Sequence, residues 1–146
     1  MRKTIDLQLF YKVFPDIQVK DRQFEAELNQ IKDLPVAAAL DYWTDAVNSG
    51  YIDVTPFVYT KCEYDIFLHL QHYGNELAAE CLKRLESFNY DSEIDNKEYG
   101  FIAYYLEALH FAGTLTESQK LTCRKLAERM QSQLEDEAHN LLALAK

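Results

Sequence analysis

Gly113 to Met130 reads GTLTESQKLTCRKLAERM, and its punctuation decides the fold class. Gly113 stops whatever precedes it. Thr116-Glu-Ser-Gln119 then has the form of a capping box, in which the threonine and a glutamine three residues on satisfy each other's free backbone amides. Downstream, Leu126, Met130, Leu134 and Leu141 recur at helical spacing, which predicts one last, longest helix with that stripe as its inner face. Upstream, Ile102, Tyr105, Leu106 and Leu109 form a second stripe that ends at Gly113.

The same signals divide the rest of the chain. Asn75 is placed to cap a helix carrying Leu77, Cys81, Leu85 and Phe88, and Thr55-Pro56 opens a helix that runs to Gly74. Pro35 suits the first turn of a helix whose Val36, Leu40, Trp43 and Val47 share a face before Asn48-Ser49-Gly50 stops it. Asp21 precedes Phe24, Leu28 and Ile31 at the same spacing. The opening IDLQLFYKVF, residues 5–14, alternates like a strand yet fits a helix through Ile5, Leu9 and Val13; with no second strand to pair with, it is read as helix. The expectation is an all-α single domain over residues 1–146, with six to seven helices arranged as packed αα-hairpins. Pro15, Pro56 and Lys97 are evenly spaced, as are Pro35, Glu76 and Glu117, which resembles the spacing of two-helix solenoid repeats. Residue identity between the three units is almost nil, and any three αα-hairpins of ordinary length give the same interval.

Composition narrows the class. The 146 residues are 48% hydrophobic with only four Gly and three Pro, which suits a helix-rich globular chain and excludes a disordered one. Apolar runs are too short for a membrane span, and residues 1–14 lack the apolar core and cleavage site of a signal peptide, so a cytoplasmic protein is expected. Cys62, Cys81 and Cys123 are odd in number and far apart, which argues for buried free thiols over a disulfide framework or zinc ribbon.

The net charge of −9 is unevenly placed. Residues 1–34 carry six bases and six acids and residues 113–146 five of each, so both ends balance. Residues 35–60 hold three acids and no Lys or Arg, and residues 61–112 hold ten acids against four bases. All of the excess lies in the middle. A one-signed field there speeds encounter with a basic partner and repels nucleic acid and anionic lipid, although acidity also serves plain solubility.

Within that middle, Asn89 to Gly100 reads NYDSEIDNKEYG. Asp91, Glu93 and Asp95 match the first alternating ligands of a calcium loop, but Asn96 replaces the turn glycine and Ile102 the bidentate glutamate, so an EF-hand is excluded. Two accounts remain. Glu93, Asp95 and Glu98 favour the positive N-terminus of the helix behind them, or the carboxylates, with Tyr90 and Tyr99, form a contact surface. The pattern of aromatics beside carboxylates recurs at Asp41, Tyr42, Asp45, Tyr51 and Asp53, around Trp43.

Chemistry finds little footing. Glu107-x-x-His110 and Asp136-x-x-His139 imitate a di-metal bundle, but Glu107 lies nearly opposite its helix's apolar stripe, with His110 at the stripe's edge, and Asp136 and His139 point away from theirs. Asp65, His69 and His72 share a helix face at metal-compatible spacing, yet that helix is apolar nearly all round, which favours a hydrogen-bonded core histidine. Cys62 and His69 are two turns apart and out of hydrogen-bond reach. No nucleotide-binding, zinc-protease or hydrolase motif occurs. No cofactor or metal is expected.

In overall character the chain resembles immunity proteins that neutralise toxins of bacterial competition, as in contact-dependent growth inhibition and colicin systems. The resemblance rests on small size, acidity and a catalytically bare sequence; such proteins share no common fold, so no residue role carries over. It implies a non-enzymatic inhibitor that binds a basic toxin domain, a nuclease above all. The expected contact residues are Tyr90, Asp91, Glu93, Asp95, Glu98 and Tyr99, with Asp41, Tyr42, Asp45, Tyr51 and Asp53. The alternatives are a helical-repeat adaptor that binds a peptide or partner helix and, more remotely, a metal-dependent enzyme using Asp65, His69 and His72.

Overall fold

The computed structural model describes residues 32–49 and 61–146, with positions 12, 13, 15, 16, 18, 22 and 28, and for 61–64 it describes the backbone only. Six helices lie in the two long segments, and no strand occurs among the described residues. They are α1 (Val36–Asn48), α2 (Lys61–Gln71), α3 (Asn75–Glu86), α4 (Asn96–His110), α5 (Glu117–Met130) and α6 (Glu135–Leu144). The chain is all-α. Of the ambiguous 5–14 stretch only Lys12 and Val13 are described, both helical, and of the helix expected at 21–31 only Arg22 and Leu28, also helical. The Thr55-Pro56 start, Tyr51 and Asp53 lie outside the described residues, as does the Cys62 side chain. By packing, the chain groups into two compact units, 1–69 and 70–146.

In the first unit, Pro35 with its extended ψ of 152° precedes α1, as its fixed φ favours. Ala39, Leu40, Trp43 and Ala46 are buried at helical spacing, and Trp43 packs on Phe67 of α2 with ring centroids 4.7 Å apart. Thr44, buried on the same face, donates its hydroxyl to the Asp41 carbonyl, so its polar group is satisfied within the helix.

In the second unit, α3 packs on α4 and α5, and α6 closes the ring by packing on α5 and α4. The core inside is built from the expected stripes: Leu77, Cys81 and Leu85 of α3, Ile102 and Leu109 of α4, and Cys123, Leu126 and Met130 of α5, with Leu141 of α6. α3 begins differently from expectation. Gly74, not Asn75, is its cap residue, with φ 56° and ψ −126°, a region that side chains rarely enter, and Asn75 is already helical. That turn is tight: Tyr73 and Gly74 donate their amides to the Leu70 and Gln71 carbonyls. The box at Thr116 forms as expected, with Gln119 N–H on the threonine oxygen at 3.1 Å and Thr116 N–H on the glutamine oxygen at 2.9 Å.

The last, longest helix is instead two. α5 ends at Met130, the chain turns through 131–134, where Leu134 has φ −133° and ψ 61°, and α6 returns along α5 as an αα-hairpin. Arg124 of α5 donates to the Ala145 carbonyl at the far end of α6, which fixes the fold-back. Three acids, Glu135, Asp136 and Glu137, occupy the first turn of α6, where the free amides and the helix dipole favour them. Leu134 and Leu141 stay buried with Leu126 and Met130 despite the break, because both arms turn their apolar faces to one core.

Candidate partner-binding site

The segment between α3 and α4, residues 87–95, carries most of the acidic stretch, and α5 holds it from below. Arg129 donates to the Glu86 and Phe88 carbonyls at 3.3 and 3.0 Å and lays its guanidinium 5.0 Å from the centre of the Tyr90 ring. One turn on, Gln133 donates its amide to the Tyr90 and Ser92 carbonyls at 2.7 and 2.6 Å and accepts the Ile94 N–H at 3.1 Å. Asn89 closes the turn from within, its side-chain oxygen taking the Asp91 N–H at 3.0 Å and its carbonyl the Ser92 hydroxyl at 3.3 Å.

The acids of the stretch divide by role. Asp95 and Glu98 form a capping box at the start of α4, with Glu98 N–H on Asp95 Oδ1 at 2.8 Å and Asp95 N–H toward Glu98 Oε1 at 3.5 Å. Both therefore hold the helix start, while the Asp95 side chain stays exposed. Asp91 and Glu93 are exposed, and their carboxylates take no hydrogen bond or ion pair among the described residues.

The tyrosines divide too. Tyr99 is 43% exposed and donates its hydroxyl to Glu137 Oε1 at 2.7 Å. That hydrogen bond, with partial burial and the nearby Glu137 and Asp136 charges, raises its phenol above the ordinary value, so it stays a neutral donor. Tyr90 corrects the sequence-based expectation. It is 2% exposed, its hydroxyl donates to the Leu85 carbonyl, and Phe88 and Arg129 lie against its ring. An aromatic ring with one satisfied polar tip is stable in a core, so Tyr90 shapes the loop from inside and offers no surface to a partner.

Tyr99–Glu137 joins the first turn of α4 to the first turn of α6, and Ile94–Gln133 joins the acidic loop to the turn just before α6. Glu135, Asp136 and Glu137 thereby extend the acidic surface of Asp91, Glu93, Asp95 and Glu98, although residues 113–146 are charge-balanced along the sequence. Sequence reasoning missed these three; the signal was the acid triplet itself, which marks a helix start. Two bases lie along the same stretch and on the helix beneath it: Lys97, exposed on α4, and Arg129, whose guanidinium is engaged with two carbonyls and keeps its charge.

The other expected contacts lie in the first unit. Asp41 and Asp45 are exposed one turn apart on α1, and Tyr42 between them is half-buried. Asp65 and His69 are half-buried and His72 is exposed; among the described residues no group of three His, Cys, Asp or Glu side chains is placed to hold a metal ion. Glu107 is half-buried, and His110, Asp136 and His139 are exposed. Among the described residues no helix is long and apolar enough to cross a membrane. Comparison with protein-family models, curated proteins and solved structures returns no match for this chain.

Proposed function

We propose that this protein is an acidic, protein-binding inhibitor, an immunity protein that neutralises a basic toxin domain of the nuclease class by direct binding. The observation that carries this reading is the meeting of two acidic segments, 91–98 and 135–137, around the half-exposed Tyr99. A basic partner is steered to such a face from a distance, and Tyr99 supplies contact area once it arrives. A nuclease cleft is lined with Lys and Arg to hold phosphates, so an acidic face competes for the same groups.

The test is biochemical. The product of the gene directly upstream is purified and its nuclease activity titrated with this protein. Inhibition complete at equimolar protein, with association slowing as salt rises, is the expected result. A product that neither binds this protein nor loses activity in its presence defeats the reading.

A helical adaptor is the second reading, and one observation favours it. A shallow groove of about 350 Å³ runs between α5 and α6, lined by Arg124, Ala127, Glu128, Gln131 and Leu142, the last of these 39% exposed. Loss of binding in Leu142→Glu, with binding intact in the double variant Asp91→Lys/Glu93→Lys, would favour the adaptor over the inhibitor.

A further inference from the structure

We infer that Gln133 is a positioning residue: its carboxamide clamps the backbone of the acidic loop and fixes the arrangement in which Asp91 and Glu93 meet a basic partner. This rests on the protein-binding reading above. A primary amide offers two N–H donors and one carbonyl acceptor, and Gln133 uses that set on three main-chain groups, the carbonyls of Tyr90 and Ser92 and the amide of Ile94. The three alternate along the loop, so one side chain fixes its course over five residues. Glutamate would lose both donors, lysine would lose the acceptor, and methionine would keep the length and lose all three bonds.

The clamp stands on a fixed base. Gln133 sits where the chain turns between α5 and α6, and its own N–H and that of Leu134 both reach the Met130 carbonyl, at 3.1 and 2.7 Å. Arg129, one turn earlier, holds the carbonyls of Glu86 and Phe88 where the chain leaves α3. The residue is exposed and packs no core volume, so its contribution lies in the bonds it makes. A loop held before contact loses less entropy on binding than one that must be ordered by it. The turn at 131–134, which interrupts the helix while the apolar stripe stays buried, places this carboxamide against the loop.

The experiment compares wild-type protein with Gln133→Met. Amide hydrogen exchange in the free protein is read at Ile94 and, as an internal control, at the buried Leu106 of α4. In the variant, Ile94 exchange is expected to rise about tenfold or more while Leu106 exchange stays unchanged. Equal exchange at Ile94 in the two proteins overturns the clamp, and so does a parallel rise at both positions, which would mean global loosening. Binding to the protein encoded directly upstream is measured with the same pair, and the variant is expected to bind about tenfold more weakly. Equal affinity with a loosened loop overturns the positioning role. Failure of the wild type to bind defeats the inhibitor reading, and with it the positioning role, while the exchange comparison still decides whether the clamp exists.

Discussion

Tyr90 and Cys81 show how far a side chain's role depends on what covers it. Tyr90→Ala removes a buried ring from between Phe88 and Arg129 and should destabilise the fold by about 3 kcal/mol or more, whereas Tyr90→Phe should cost about 1 kcal/mol by leaving the Leu85 carbonyl unpaired. Urea unfolding of both variants checks the ranking; an alanine variant as stable as wild type would return the ring to the surface. Burial pushes the Cys81 thiol up to about 12, with Arg84 opposing the shift and Glu80 adding to it. The folded thiol therefore stays protonated where the unfolded one, at its ordinary 9.0, has ionised. Its contribution is fully present below pH 9 and is lost as pH rises toward about 12, at about 1.4 kcal/mol per pH unit. Unfolding curves between pH 8 and about 11 should show this decline and show less of it in Cys81→Ala; identical slopes would refute the assignment. Cysteine burial was legible, since the odd count and wide spacing argued for free thiols and the residue sat on an apolar stripe. Tyr90 was not, because a tyrosine beside carboxylates reads as surface until Arg129 arrives from another helix.

At the scale of elements, local chemistry was readable and returns of the chain were not. Pro35, Thr116 and the Gly74–Asn75 step mark helix starts to within a residue because capping involves only neighbours in sequence. Asp95 and Glu98 were legible as acids at a helix N-terminus, and the reciprocal bonds between them add the specific geometry. Asp95→Ala should cost about 1 kcal/mol, and Thr116→Ala a similar amount, with the double variant close to the sum because the two caps serve different helices. Thermal or urea unfolding measures this, and a neutral Asp95→Ala would show that the box adds nothing. The break at 131–134 carries no Gly or Pro, and Leu134 keeps the phase of a continuous stripe. What separates α5 from α6 is tertiary: both halves bury the same face only if the second folds back, and the acid triplet then gains a helix N-terminus.

For the whole molecule, the question is where charge gathers after folding. Along the sequence the excess belongs to residues 35–112, but the fold carries three acids from a balanced segment to the edge of the loop. Reversing Asp91 and Glu93 to Lys should change stability by no more than about 0.5 kcal/mol, since both are exposed and make no side-chain bond among the described residues. Association with a basic partner should slow, and its salt dependence flatten, while dissociation changes less. Stopped-flow binding at two salt concentrations reads this out, and an unchanged association rate would leave the acids as solvation alone.

The grip on the loop is made almost wholly through main-chain atoms. Gln133 takes the carbonyls of Tyr90 and Ser92 and the amide of Ile94, and Arg129 takes the carbonyls of Glu86 and Phe88. A shape held by its backbone is indifferent to the side chains it displays. Positions 91 and 93 should therefore accept other residues with the course of the backbone beneath them unchanged.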